Sequence, residues 1–432
     1  MRTTACFRST VSSEPDEGDR GRRLNTSRHL AKVDCSNVTT SAEGMTMRGL
    51  DAAAQLLGRA VLPLLFVTAA CQADTQTERP MAAGERVLNL FVWSPHPPTV
   101  GGMGSADHYL AEGTIEGFEK ATGIQVKVVN YATDEEMGRQ LAEGAAWADL
   151  IIPSDSAYPD PIARGYFRKL DRNLIPRLSN VDPAIARKAA VSDPENAHSV
   201  VHMWGAVAIG FDPAKVRTLV ADDPTVSWKR FLDPSVLKTL RSCGVMLPGY
   251  PDEAYSVALL ALGRSPDSTD PTDIDAATDL LSRVAPYVQF GFPEARDLQS
   301  GKLCAAAGYG GQMRSAPTSP SSREIRIVIP REGSRMWFDS YLVPANAPHS
   351  ANAHAFIDYM LDPKVSASTT NHTGYGTINR LAAPHIAADR RHAPDVAPSP
   401  EGVERLVPTS PAAVKARASL VEAGWKKITA AQ

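Results

Sequence analysis

Ala148-Asp149-Leu150-Ile151-Ile152-Pro153 is apolar at successive positions and stops at a proline. A strand without polar alternation is covered on both faces, as in a parallel sheet between helices. Working back from it, Glu135 to Gly144 predicts a helix and Ile124 to Asn130 a strand. Before those, Tyr109 to Thr122 predicts a helix with Leu110, Ile115 and Phe118 on one stripe, capped by Gly123. The β-branched and aromatic run Val87-Leu88-Asn89-Leu90-Phe91-Val92-Trp93 predicts the first strand. Strand, helix, strand, helix, strand implies parallel pairing in an α/β layer.

A second α/β set follows. Val200 to Phe211 predicts a long apolar strand running between two domains, with a bend at Gly205. Downstream come a helix from Ser227-Trp228, a strand over Cys243–Leu247, helices over Glu253–Leu262 and Pro271–Ala285, and a strand over Leu303–Gly308. Ile325 to Pro330 and the turn Arg331-Glu332-Gly333 lead into a strand from Met336 that returns the chain to the first domain. Helices over Ala353–Leu361 and Val414–Ile428 close the chain. The expected division is one lobe of 87–202 with 338–383 and another of 203–337 with 384–432.

A chain of 432 residues can hold two such domains with real cores. Charged content of 22% and hydrophobic content of 43% are those of a soluble globular protein. A net charge of -3 without a basic run gives no footprint for nucleic acid.

The first 46 residues are polar and lack apolar periodicity. The apolar run from Ala60 to Ala70 is too short to span a bilayer and suits the core of a signal peptide. Small residues before Cys71 resemble a lipobox, in which the cysteine becomes the lipidated first residue; a plain secretory signal is the alternative. Residues 1–71 are therefore read as a disordered upstream extension plus leader, and 72–86 as a tether. Cys243 and Cys304 remain, either bridged or as buried free thiols, and export favours the bridge. It would close a loop of about 60 residues, worth roughly 4 kcal/mol in the chain-entropy model.

Trp337 and Asp339 lie two apart on a predicted strand, so they share a face. An aromatic face beside a carboxylate suits a desolvated ammonium, through cation–π attraction and a charge-assisted hydrogen bond. A core tryptophan beside a solvated acid has the same spacing. His198 and His202 sit four apart on a predicted strand without a convergent third ligand, so no metal site is expected. No phosphate loop, zinc-protease helix or nucleophile elbow occurs, so no cofactor or catalytic residue is expected.

From Val87 onward the chain resembles the periplasmic polyamine-binding receptors of bacterial ABC transporters, the putrescine/spermidine branch. The resemblance is carried by Phe91-Val92-Trp93-Ser94, Phe118-Glu119-Lys120-Ala121-Thr122-Gly123-Ile124, Asp149-Leu150-Ile151-Ile152-Pro153-Ser154, Trp204-Gly205-Ala206 and Ser242-Cys243-Gly244-Val245. Gly308-Tyr309-Gly310-Gly311, Ile329-Pro330-Arg331-Glu332-Gly333, Phe338-Asp339, Val343-Pro344-Ala345-Asn346-Ala347 and Gly374-Tyr375 continue it in order. The surroundings of Cys243 and Cys304 resemble the putrescine-type members.

The resemblance implies a two-domain periplasmic-binding-protein fold of type II, with an interdomain cleft and crossing hinge strands. It implies a monomeric receptor in the periplasm or cell envelope, held to the membrane only by a lipid anchor, that hands a polyamine to an ABC permease and is not an enzyme. Residue by residue, it points to Trp93, Ser94, Ser154, Ser156, Asp252, Tyr309, Trp337, Asp339 and Tyr375 as cleft residues. Two departures stand out. About a dozen residues follow Ser94 as an insertion (95–106), so that Asp107, His108 and Tyr109 take up the pattern, with His108 at an acidic position. Gln312 also replaces an acid. Asp107 and Asp155 are candidate replacement acids, and a different small organic cation, or a sensor role, is the alternative reading.

Overall fold

The computed structural model describes residues 86–94, 104–220, 222–314 and 323–430. The leader, the tether up to 85, Cys71 and residues 95–103 of the insertion lie outside them.

The strands are β1 (Val87–Trp93), β2 (Gln125–Tyr131), β3 (Leu150–Ile152), β4 (Ser199–Phe211), β5 (Val245–Pro248), β6 (Gln289–Gly291), β7 (Ala305–Tyr309), β8 (Arg326–Val328), β9 (Ser334–Leu342) and β10 (Leu406–Pro408). They order as β2-β1-β3-β9-β4-β7-β5-β6, with β10 beside β9 and β8 beside β4. β1 lies parallel to β2 and to β3, as strand–helix–strand alternation requires. β5 repeats this with β6 and β7.

The two sets meet through β4 and β9. β4 runs antiparallel to β9 from Ser199↔Leu342 to Ala206↔Met336. It then runs antiparallel to β7 from Val207↔Tyr309 to Phe211↔Ala305. One buried strand thus supplies two cores: Met203, Trp204 and Ala206 pack with Leu88, Leu90, Phe118 and Phe356. Val207, Ile209 and Phe211 pack with Trp228, Phe231, Tyr255 and Leu281.

Several sequence expectations shift. β4 runs as one strand through Gly205, and its register against β9 slips between Val201 and Met203. The first helix starts at Thr114, not Tyr109, because Gly113 takes a left-handed φ of 80° that breaks the helical path. The segment Pro363–Thr373, unassigned in the sequence, is a helix with Pro363 in its first turn and Asp362 accepting from Lys364 N. Cys243 and Cys304 are bonded, with Cα atoms 5.5 Å apart. The terminal helix Pro411–Thr429 is pinned by Arg417, whose side chain is fully buried.

Candidate ligand-binding cleft

The site is assembled where the chain leaves β1, β3 and β7 and where β9 crosses. At the end of β1, Ser94 N donates to Tyr131 O at 3.0 Å, and Trp93 Nε1 donates to Ala132 O at 3.0 Å. The indole of Trp93 faces the His108 ring at 5.7 Å. Asp107 and His108 are exposed. Tyr109 is buried beneath them, its carbonyl taking a hydrogen bond from His202 Nε2 at 3.1 Å. Burial lowers the His202 imidazole to about 4, which keeps it neutral beside the Tyr341 hydroxyl.

After β3, Ser154 pairs with Asp339 across an antiparallel bridge, and Asp155 N donates to Phe338 O at 2.8 Å. Directly opposed residues share a face, so Ser154 and Asp339 look the same way; Asp155, in the turn that follows, is buried and its charge acts on Asp339. Ser156 is exposed one step further.

Trp337 forms the centre of an aromatic wall. Tyr309 meets it edge-on at 5.6 Å and Tyr375 at 4.8 Å, with interplanar angles of 71° and 79°. Two glycines make room for it. A Cβ at Gly205 would fall 2.5 Å from Trp337 Cζ2, and one at Gly311 2.5 Å from Tyr375 Cε1. The backbone of Gln312 hydrogen-bonds the Tyr375 hydroxyl, and the Gln312 side chain stands at the surface. Trp337 Nε1 is buried without a hydrogen-bond partner among the described residues.

Asp252 requires a correction. It accepts from Arg417 Nε at 2.9 Å and pairs with Arg335 at 3.4 Å, which ties it to the terminal helix rather than to the aromatic wall. The acid bonded to the Tyr309 hydroxyl is Glu253, one residue on. Successive helix positions point about 100° apart, so only one of the two can face the wall. The proline that starts this helix, Pro251–Ala261, sets which one.

The electrostatics are dominated by buried acids, with the charge of Arg335 acting against the rise at Asp155 and Glu253. Burial pushes the Asp339 carboxyl well above the usual range; the charges of Asp155 and Asp134 add to this and Ser154 opposes it. Burial also raises Asp155 to about 7, against hydrogen bonding and Arg335. Glu253 is raised by burial to about 7, with the Tyr309 bond opposing. Among the described residues no basic side chain pairs with Asp339. Sequence reasoning missed Glu253, which was legible only as the neighbour of Asp252. Among the described residues no three His, Cys, Asp or Glu gather as metal ligands.

A hollow of about 510 Å³ lined by Arg86, Asn89, Lys127 and His349 lies at the opposite end of β1 and β2. Its cationic lining repels the ammonium groups that the acids around Asp339 would attract.

Comparison with known proteins agrees with this architecture. Residues 114–394 match the family model described as bacterial extracellular solute-binding protein. The chain is 30% identical to the putrescine-binding periplasmic protein SpuD of Pseudomonas aeruginosa, over 80% of this chain and 93% of that one. It is 31% identical to the putrescine-binding periplasmic protein PotF of Escherichia coli, over 74% and 85%. The solved structure of the spermidine/putrescine ABC transporter substrate-binding protein PotD of Streptococcus pneumoniae matches with a TM-score of 0.66 at 21% identity, over 79% of this chain and 99% of that one. The Tp0655 (TpPotD) lipoprotein of Treponema pallidum gives 0.65 at 23% identity, over 79% and 99%. The fold is the α/β two-domain periplasmic-binding-protein fold with an interdomain cleft and crossing strands. The chain belongs to the bacterial extracellular solute-binding proteins.

Proposed function

We propose that this bacterial extracellular solute-binding protein is a receptor that captures a polyamine cation by closure of its two lobes and delivers it to an ABC importer. The observation that carries the reading is Asp339, 8% exposed, unpaired with any basic side chain among the described residues, and set beside the Trp337 wall. An ionised carboxylate buried without a partner costs several kcal/mol, and a ligand ammonium offsets that cost. The indole and phenol faces supply the cation–π share.

Trp93, Ser94, Tyr109, Ser154, Tyr309, Tyr375 and Glu253 line the cleft in this reading, with Asp107, His108, Ser156 and Gln312 at its rim. In this reading the lobes part on β4 between Ala206 and Val207, a few residues beyond the 202/203 division expected from the sequence, because Met203, Trp204 and Ala206 share the first core with Met336 and Leu406; the crossing of β4 and β9 is the hinge. The protein works as a monomer in the periplasm or envelope, anchored through a lipid on Cys71, and turns over no substrate.

The test is a thermal-shift panel of diamines, triamines and guanidino amines. A polyamine is expected to raise the melting temperature, and Trp337→Ala with Asp339→Ala to abolish the shift. No shift with any of these amines rejects the ligand class and leaves the fold standing.

A further inference from the structure

The hollow at the far end of β1 and β2 takes its floor from both strands. In their parallel register Val87 lies beside Gln125 and Asn89 beside Lys127. Neighbours in register share a face, so these four side chains point the same way, and all four line the hollow. β2 is the edge of the sheet, and Gln125 and Lys127 are exposed.

Arg86 enters from the start of β1. Its Nη1 donates to Thr122 O at 3.0 Å, at the end of the helix Thr114–Thr122. Gly123 makes the space: it ends that helix with a φ of 71°, and a Cβ there would fall 2.7 Å from Arg86 Nη1. The guanidinium is thus held by a neutral carbonyl, which leaves its charge unbalanced. Among the described residues neither Arg86 nor Lys127 forms an ion pair.

The acid behind the floor is already engaged. Asp149 is fully buried and accepts from Asn89 N at 2.8 Å, Asn89 Nδ2 at 2.9 Å and His349 N at 2.7 Å, with His349 Nδ1 3.0 Å away. Those bonds fix the Asn89 amide and the His349 ring on the wall of the hollow. A fixed guanidinium near an ammonium suits a doubly charged group with several acceptor oxygens, through charge-assisted hydrogen bonds. About 510 Å³ is far more than a bare anion fills, so the charged group comes with a body attached.

We propose that this hollow is a phosphate-ester site, separate from the cleft, in which Arg86 and Lys127 hold the phosphate beside Asn89 and His349. It does not depend on which ligand the cleft takes. Cys71 lies fifteen residues before Arg86, at most about 50 Å of extended chain, so in the anchored reading phospholipid headgroups offer this chemistry as well as soluble esters.

Two measurements on the full-length protein test the site: titration with glycerol 1-phosphate, and co-sedimentation with phosphatidylcholine vesicles with and without phosphatidylglycerol. Wild type is expected to bind glycerol 1-phosphate and not glycerol. Lys127→Gln, at an exposed position, weakens that binding about fivefold and leaves the melting temperature unchanged. Extra retention on the anionic vesicles that drops in Lys127→Gln supports the site and assigns the phosphate to lipid. Variant-sensitive binding of glycerol 1-phosphate without extra retention supports it and assigns a soluble ester. Binding of neither probe, or binding that both Lys127→Gln and Arg86→Gln leave unchanged, overturns the site.

Discussion

Glu253, not its neighbour Asp252, receives the hydroxyl of Tyr309, while Asp252 is held by Arg417 and Arg335. Two adjacent acids thus have separate duties, one facing the aromatic wall and one locking the terminal helix. Glu253→Gln is expected to weaken polyamine binding about tenfold with a small change in melting temperature. Asp252→Asn is expected to lower the melting temperature and leave affinity within about twofold. Titration and thermal melts of both variants check the division.

Arg417 gives the stability counterpart. Its side chain is fully buried, bonded to Asp252 and to the Pro266 carbonyl. Arg417→Leu leaves these acceptors short of a donor and should cost about 3 kcal/mol in denaturant unfolding. Ligand affinity of the folded variant should be unchanged.

The close approach of Gly205 to Trp337 admits no side chain. Gly205→Ala would place a methyl 2.5 Å from Cζ2, and the indole must move off the wall. The expected cost is about 1–3 kcal/mol of stability. A larger proportional loss of polyamine affinity should accompany it, because the ring itself is the binding surface. An affinity unchanged beside a lowered stability would show that the ring position is not critical.

pH gives a signed test. The carboxyls of Asp155 and Glu253 are raised to about 7, and that of Asp339 is raised as well. Unfolded carboxyls titrate near 4, so between roughly 4 and 7 the native state holds more protons than the unfolded one. Stability of the unliganded protein therefore falls as pH rises through that window. His202, lowered to about 4, works in the opposite sense, but it is one group against five, since burial raises Asp134 and Asp395 too. The depressed Asp212, Asp233 and Asp297 lose their contribution only as pH falls below the ordinary carboxyl range. A cation prefers the ionised acids, so the ligand-induced shift should grow from pH 5 to pH 7.5 while the unliganded melting temperature declines. A ligand-induced shift independent of pH across that interval would contradict the assignment of these acids.

Much of the architecture was legible because strands announce themselves by composition. The runs 87–93, 148–153 and 200–211 each hold a buried strand, and their alternation with helices dictates parallel pairing. The Trp337–Asp339 spacing likewise gave a shared face. What failed was finer geometry. A glycine in a strand permits either a bend or the close approach of a ring, and residue type does not distinguish them; Gly205 proved to be the second. The one-residue error between Asp252 and Glu253 is a helix-phase error, decided by where Pro251 starts the turn.

The most direct measurement is Asp339→Asn, followed by both polyamine titration and thermal melting without ligand. A buried acid kept for a cation is a liability when empty, so the unliganded variant should melt higher than wild type while affinity falls about 100-fold. A variant that melts lower and binds polyamine as tightly as wild type would contradict the account.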